Sequence, residues 1–75
     1  MTDLHKAIRE YYYTKAQYEM FNAVGTELDK QQAEKALDLR EMRLEELTYA
    51  ANRKQAVKLA SKQTGITAKN YMEVQ

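Results

Sequence analysis

His5 and Ser61 are the only histidine and the only serine of this chain, and it has no cysteine. They are its ordinary candidates for nucleophilic or general-base chemistry. That chemistry needs a base within hydrogen-bond reach of the nucleophile, and nothing in the spacing of these two residues joins them. Glu34, Asp38, Glu41 and Glu45 recur at intervals of four, three and four residues, which puts their carboxylates on one ridge of a helix. Such a ridge could take cations or a basic surface. A di-iron centre would need Glu-x-x-His pairs, and the single histidine forms none. A thiolate or multi-histidine metal cage lacks its ligands, and the two glycines do not make a phosphate-cradling loop. The chain reads as non-enzymatic, with no cofactor, no metal and no small-molecule substrate.

The remaining chemistry is binding. Residues 53–62 carry four bases and no acid, whereas residues 27–46 carry seven acids against four bases. Arg53, Lys54, Lys58 and Lys62, with Lys69 beyond them, could neutralise phosphates one for one and bind nucleic acid without regard to sequence. The same cations could dock on the acidic ridge of a neighbouring copy. The net charge of +1 keeps the field of the whole chain weak, so nucleic acid is the second reading and protein contact the first.

These side chains must be positioned by helices. The chain has no proline, and residues 27–63 are dominated by Ala, Glu, Lys, Gln, Leu and Arg, all good helix formers. Gly25 is expected in the left-handed conformation that ends a helix, with Thr26 capping the next and Asp29 completing a capping box. Gly65 ends a second long run, and Thr67 could cap a last short helix. The expected fold is all-α: a long antiparallel helical hairpin, helices at about 3–24 and 27–63, with a short helical extension at about 67–73, in one domain over 1–75. At about 1.5 Å per residue the second arm overhangs the first by about 20 Å. A break near Asn52, folding 53–63 back as a third helix, is the alternative, because asparagine competes for backbone hydrogen bonds inside a helix.

Residues 60–74 resemble the second half of a helix-turn-helix, with Gly65 at the turn, Ile66 buried behind it, and Tyr71 and Val74 on the inward face of a recognition helix. Thr64 stands where that pattern has an apolar residue. The resemblance implies DNA contact through Lys69.

Residues 9–21 hold four tyrosines, a methionine and a phenylalanine. By three- and four-residue spacing, Leu4, Ala7, Ile8, Tyr11, Tyr18 and Phe21 form a stripe that packs on an opposing face of Leu28, Ala36, Leu39, Leu44 and Leu47. Tyr12, Tyr13, Met20 and Val24 are left over, as are Tyr49 and Val57 on the expected overhang. A helix apolar on several sides is normally covered on several sides, and a chain of 75 residues without disulfides or metal rarely has more than about 3–5 kcal/mol from its own core. Tyr12, Tyr13, Met20, Val24, Tyr49 and Val57 are therefore expected to bind a protein partner. The function expected is that of a structural or adaptor module, coiled-coil-like, forming a homo-oligomer or joining a larger assembly such as a viral or bacterial accessory complex. A small inhibitor or chaperone of one host protein would use the same surface. No apolar run approaches a membrane span and no leader is recognisable, so a cytoplasmic or intravirion location without membrane contact is expected.

Overall fold

A computed structural model describes residues 2–73. Three α-helices, α1 Asp3–Val24, α2 Glu27–Thr48 and α3 Arg53–Thr64, make up the described fold, and no strand occurs among the described residues. Each helix begins at a polar cap. The Thr2 hydroxyl accepts the His5 N–H at 3.3 Å. Thr26 and Asp29 exchange two bonds of 3.2 Å in a complete capping box. Asn52 Oδ1 accepts the Gln55 N–H at 2.9 Å. These bonds satisfy amides that the first turn of a helix leaves without partners.

The two-residue link at Gly25 and Thr26 turns the chain into the expected hairpin. Glu10 on α1 and Arg40 on α2 meet at 3.1 Å, and Phe21 borders the same groove as Asp29, as an antiparallel register requires. Gly25 is not left-handed, contrary to expectation: its backbone is extended at φ −86°, ψ 167°. Glycine is needed there for space, because a Cβ would lie 2.7 Å from the Phe21 carbonyl oxygen. Gly65, at φ 74°, is left-handed.

The helix expected over 27–63 is interrupted, and the alternative near Asn52 is the one the chain adopts. The helix α2 stops at Thr48, where the Thr48 hydroxyl turns back onto the Leu44 carbonyl at 2.7 Å. Tyr49 then takes the left-handed conformation at φ 56°, and Asn52 starts α3. Folding back places Ala56 and Ala60 in the core, fully buried; their methyl-sized side chains permit close approach of α3 to the hairpin. The expected overhang of 49–63 is therefore absent. After α3 the chain makes turns rather than the helix expected at 67–73: Asn70 accepts from the Thr67 N–H at 2.7 Å and donates to the Gly65 carbonyl at 3.0 Å. Without a second helix there is no helix-turn-helix, although Gly65 makes the turn and Ile66 is fully buried behind it. Val74 lies outside the described residues.

The core joins Ala7, Ile8 and Tyr11 of α1, Leu44 of α2, Ala56 and Ala60 of α3, and Ile66. Its large, fully buried members are Ile8, Leu44 and Ile66. The inward meridian of α2 runs through Ala33, Leu37 and Leu44, so the face expected from sequence is corrected: Leu28 and Leu39 remain 62% and 65% exposed. At about 100° per residue those two leucines lie roughly 150° from Leu44. All the core elements meet at one end. The distal hairpin, residues 17–33, contributes only Ala33 to the buried set among the described residues. The uncovered part of the molecule is thus the hairpin tip, and the molecule is flat, 35 × 28 × 16 Å.

Candidate functional site

On α1 the buried meridian of Ala7, Ile8, Tyr11 and Thr14 has an apolar counterpart on the opposite side. Tyr13, Met20 and Val24 follow at intervals of seven and four residues and are 57%, 52% and 80% exposed. Gln17 fills the position between Tyr13 and Met20, and its side-chain amide donates to the Tyr13 hydroxyl at 3.1 Å. That bond holds the tyrosine ring along the helix. The stripe ends near the hairpin tip; Leu28, at the start of α2, is exposed as well. Exposed apolar side chains aligned on one helix face are a usual mark of a contact site.

The other sequence-derived contact residues divide. Tyr12 and Val57 pack within the chain rather than projecting from it. The Tyr12 ring meets Tyr11 edge-on at 5.2 Å and Tyr71 at 6.0 Å, and its hydroxyl shares a 2.5 Å hydrogen bond with Ser61. Fold-back of α3 accounts for both residues, since an overhanging helix would have left them uncovered. Tyr49 is the opposite case: 94% exposed, at the corner between α2 and α3. A left-handed backbone is uncommon for a tyrosine and costs about 1–2 kcal/mol.

The charged ridge works within the chain. Arg53 of the same chain pairs with Asp38 and, at 3.3 Å, with Glu45, so part of the ridge takes a cation from its own chain, where the sequence also offered one from a neighbouring copy. The bond to Asp38 and the nearby carboxylates push the Arg53 guanidinium further up from its already high range. Glu41, on the same ridge, acts on Tyr11. Burial first, then the Glu41 charge and the neighbouring Tyr12 and Glu19, push the Tyr11 phenol up to about 12. Lys54 and Lys58 flank a cleft between α1 and α3, and Lys15 of α1 closes it from the other side. Lys62 and Lys69 are exposed and stand apart from that cleft. Lys15 was not legible as a member of this group, because only fold-back of α3 brings it there.

His5 and Ser61 do not meet. His5 Nδ1 is 2.6 Å from the Thr2 hydroxyl, and Ser61 is bonded to Tyr12. No group of three or more metal-ligating side chains converges among the described residues, and no described helix is long and apolar enough to cross a membrane. Leu39, Met42 and Met72 are further exposed apolar side chains that sequence reasoning did not mark. Leu39 was assigned to the core face although it lies about 140° around the helix from Leu44. Comparison with known proteins finds no family model, no curated protein and no solved structure that matches this chain.

Proposed function

We propose that this chain is a helical structural or adaptor module that pairs with a second copy of itself through the outer stripe of α1 and the hairpin tip. The observation that carries this reading is the stripe itself: Tyr13, Met20 and Val24, each more than half exposed, run opposite the buried meridian of the same helix. Leu28 is a further exposed apolar side chain near the tip. Burying apolar area stabilises association by about 25 cal/mol per Å², and tyrosine and methionine are favoured at such contacts. Intervals of seven and four are those at which one helix lays a seam against another. Antiparallel pairing of two α1 helices would bring each Tyr13 toward the partner's tip and cover both stripes at once.

The methionines give a direct test. The chain contains four, and Met20, Met42 and Met72 are exposed at different places. In methyl NMR of a dilution series between roughly 1 mM and 10 µM, which brackets association free energies of about −4 to −7 kcal/mol, the Met20 signal is expected to move while that of Met42 stays; Met72, which borders the same groove as Tyr13, is not a control. A Met20 signal that is constant over the range, or movement at Met42 instead, contradicts the proposed seam.

A further inference from the structure

A cleft of about 630 Å³ lies between α1 and α3. Three lysines from two helices surround it, Lys15 on one wall and Lys54 and Lys58 on the other. The arginines of α2 and α3 all have carboxylate partners: Arg40 with Glu10, Arg43 with Glu46, and Arg53 with Asp38 and Glu45. Among the described residues these three lysines have none. Glu41 is the one carboxylate at the rim, and Arg53 stands beside it. Lys54 also sits in the first turn of α3, which contains no acid. The positive end of the helix dipole disfavours a cation there by a few tenths of a kcal/mol, a cost that a bound anion would reverse.

The floor of the cleft is not that of a simple ion site. Tyr12 and Val57 supply an apolar surface, and Tyr12 is held in place by Ser61 and by edge and tilted contacts with Tyr11 and Tyr71. A ring fixed in this way loses little freedom when a flat ligand lies on it. A groove of cations beside a fixed aromatic face is the arrangement that binds single-stranded nucleic acid, with phosphates on the cations and a base on the ring.

We infer that the α1–α3 cleft binds single-stranded nucleic acid, with Lys15, Lys54 and Lys58 on the phosphates and Tyr12 with Val57 against a base. The assignment differs from a reading of the basic run alone. Lys15 enters the site, Arg53 is held by its own carboxylates, and Lys62 and Lys69 lie outside. The cleft occupies a different face of α1 from Tyr13, Met20 and Val24, so binding does not depend on self-association.

The test is fluorescence anisotropy with a labelled mixed-sequence single strand of about 12 nucleotides, within the usual site sizes for such grooves. Binding is expected at low salt, with log K falling against log salt at a slope of about −2 for three phosphate contacts. Lys15→Gln is expected to flatten that slope by about 0.7 and weaken binding roughly tenfold at 50 mM salt, while Lys69→Gln leaves both unchanged. Equal effects of the two substitutions, or none from Lys15→Gln, would overturn the site. So would absence of binding at low salt. Competition by a poly-glutamate peptide or a duplex as effective as that by the single strand would overturn the ligand class. Both substitutions are at exposed positions, so loss of fold does not confuse the comparison.

Discussion

Tyr49 and Tyr11 show what single positions contribute. Tyr49 combines a left-handed backbone with 94% exposure and has no hydrogen-bond partner among the described residues. Asparagine tolerates that backbone without glycine's entropy cost in the unfolded chain. Tyr49→Asn is expected to leave the monomer as stable, or more stable by up to about 1 kcal/mol, in urea melts; a loss beyond that would mean the ring packs on something in the monomer. Tyr11 is the reverse case, 6% exposed and pushed up to about 12. Its phenol stays protonated in the fold while an unfolded tyrosine ionises near 10. The contribution is therefore complete below pH 10 and is lost as pH rises toward 12. At pH 11 the wild type should have lost about 1.4 kcal/mol relative to pH 8 that Tyr11→Phe does not lose. Parallel pH profiles of the two proteins in urea melts would contradict that cause. At this scale the sequence marked Tyr11 as core and Tyr49 as exposed, but not the Tyr49 backbone, because non-glycine left-handed residues carry no composition signal.

At the scale of elements, the hairpin was legible and the third helix was only half so. The capping box of Thr26 and Asp29 is short-range chemistry that the sequence carries openly, whereas the caps at Thr2 and Asn52 were not marked. The break at Tyr49 is decided by what 53–64 gains on folding back: Ala56 and Ala60 enter the core and Arg53 reaches Asp38 and Glu45. Those are long-range gains, invisible to a window of helix formers. The face of α2 was misassigned for a different reason. Helical periodicity alone separates the faces: Leu28 and Leu39 lie roughly 150° around the helix from Leu44, whereas Ala33, Leu37 and Leu44 share the inward side. Two substitutions separate the faces. Leu44→Ala, at a fully buried position, is expected to cost about 2–5 kcal/mol. Leu39→Ala, at an exposed one, should stay within about 0.5 kcal/mol in the monomer. Comparable losses in chemical denaturation would place Leu39 in the core.

The whole molecule is lopsided. Three helices meet at one end around Ile8, Leu44 and Ile66, while the distal hairpin adds only Ala33 to the buried set among the described residues. A surplus of apolar surface was legible in the sequence, but its location was not: the expected overhang of α2 folds back, and the exposed apolar side chains are Tyr13, Met20 and Val24 on α1, Leu28, Leu39 and Met42 on α2, and Tyr49 and Met72. Of the six side chains expected at a partner surface, Tyr13, Met20, Val24 and Tyr49 are exposed, while Tyr12 and Val57 are half-buried against the core and line the α1–α3 cleft. The contact proposed for this molecule is therefore narrower than the sequence implied. Sedimentation equilibrium of the wild type beside Met20→Glu tests it most directly. Across roughly 10 µM to 1 mM the wild-type mass should rise above the 8.8 kDa monomer, and Met20→Glu should remain monomeric with unchanged helicity. A wild type that stays monomeric throughout and melts cooperatively, or a Met20→Glu protein that associates as the wild type does, would contradict the account.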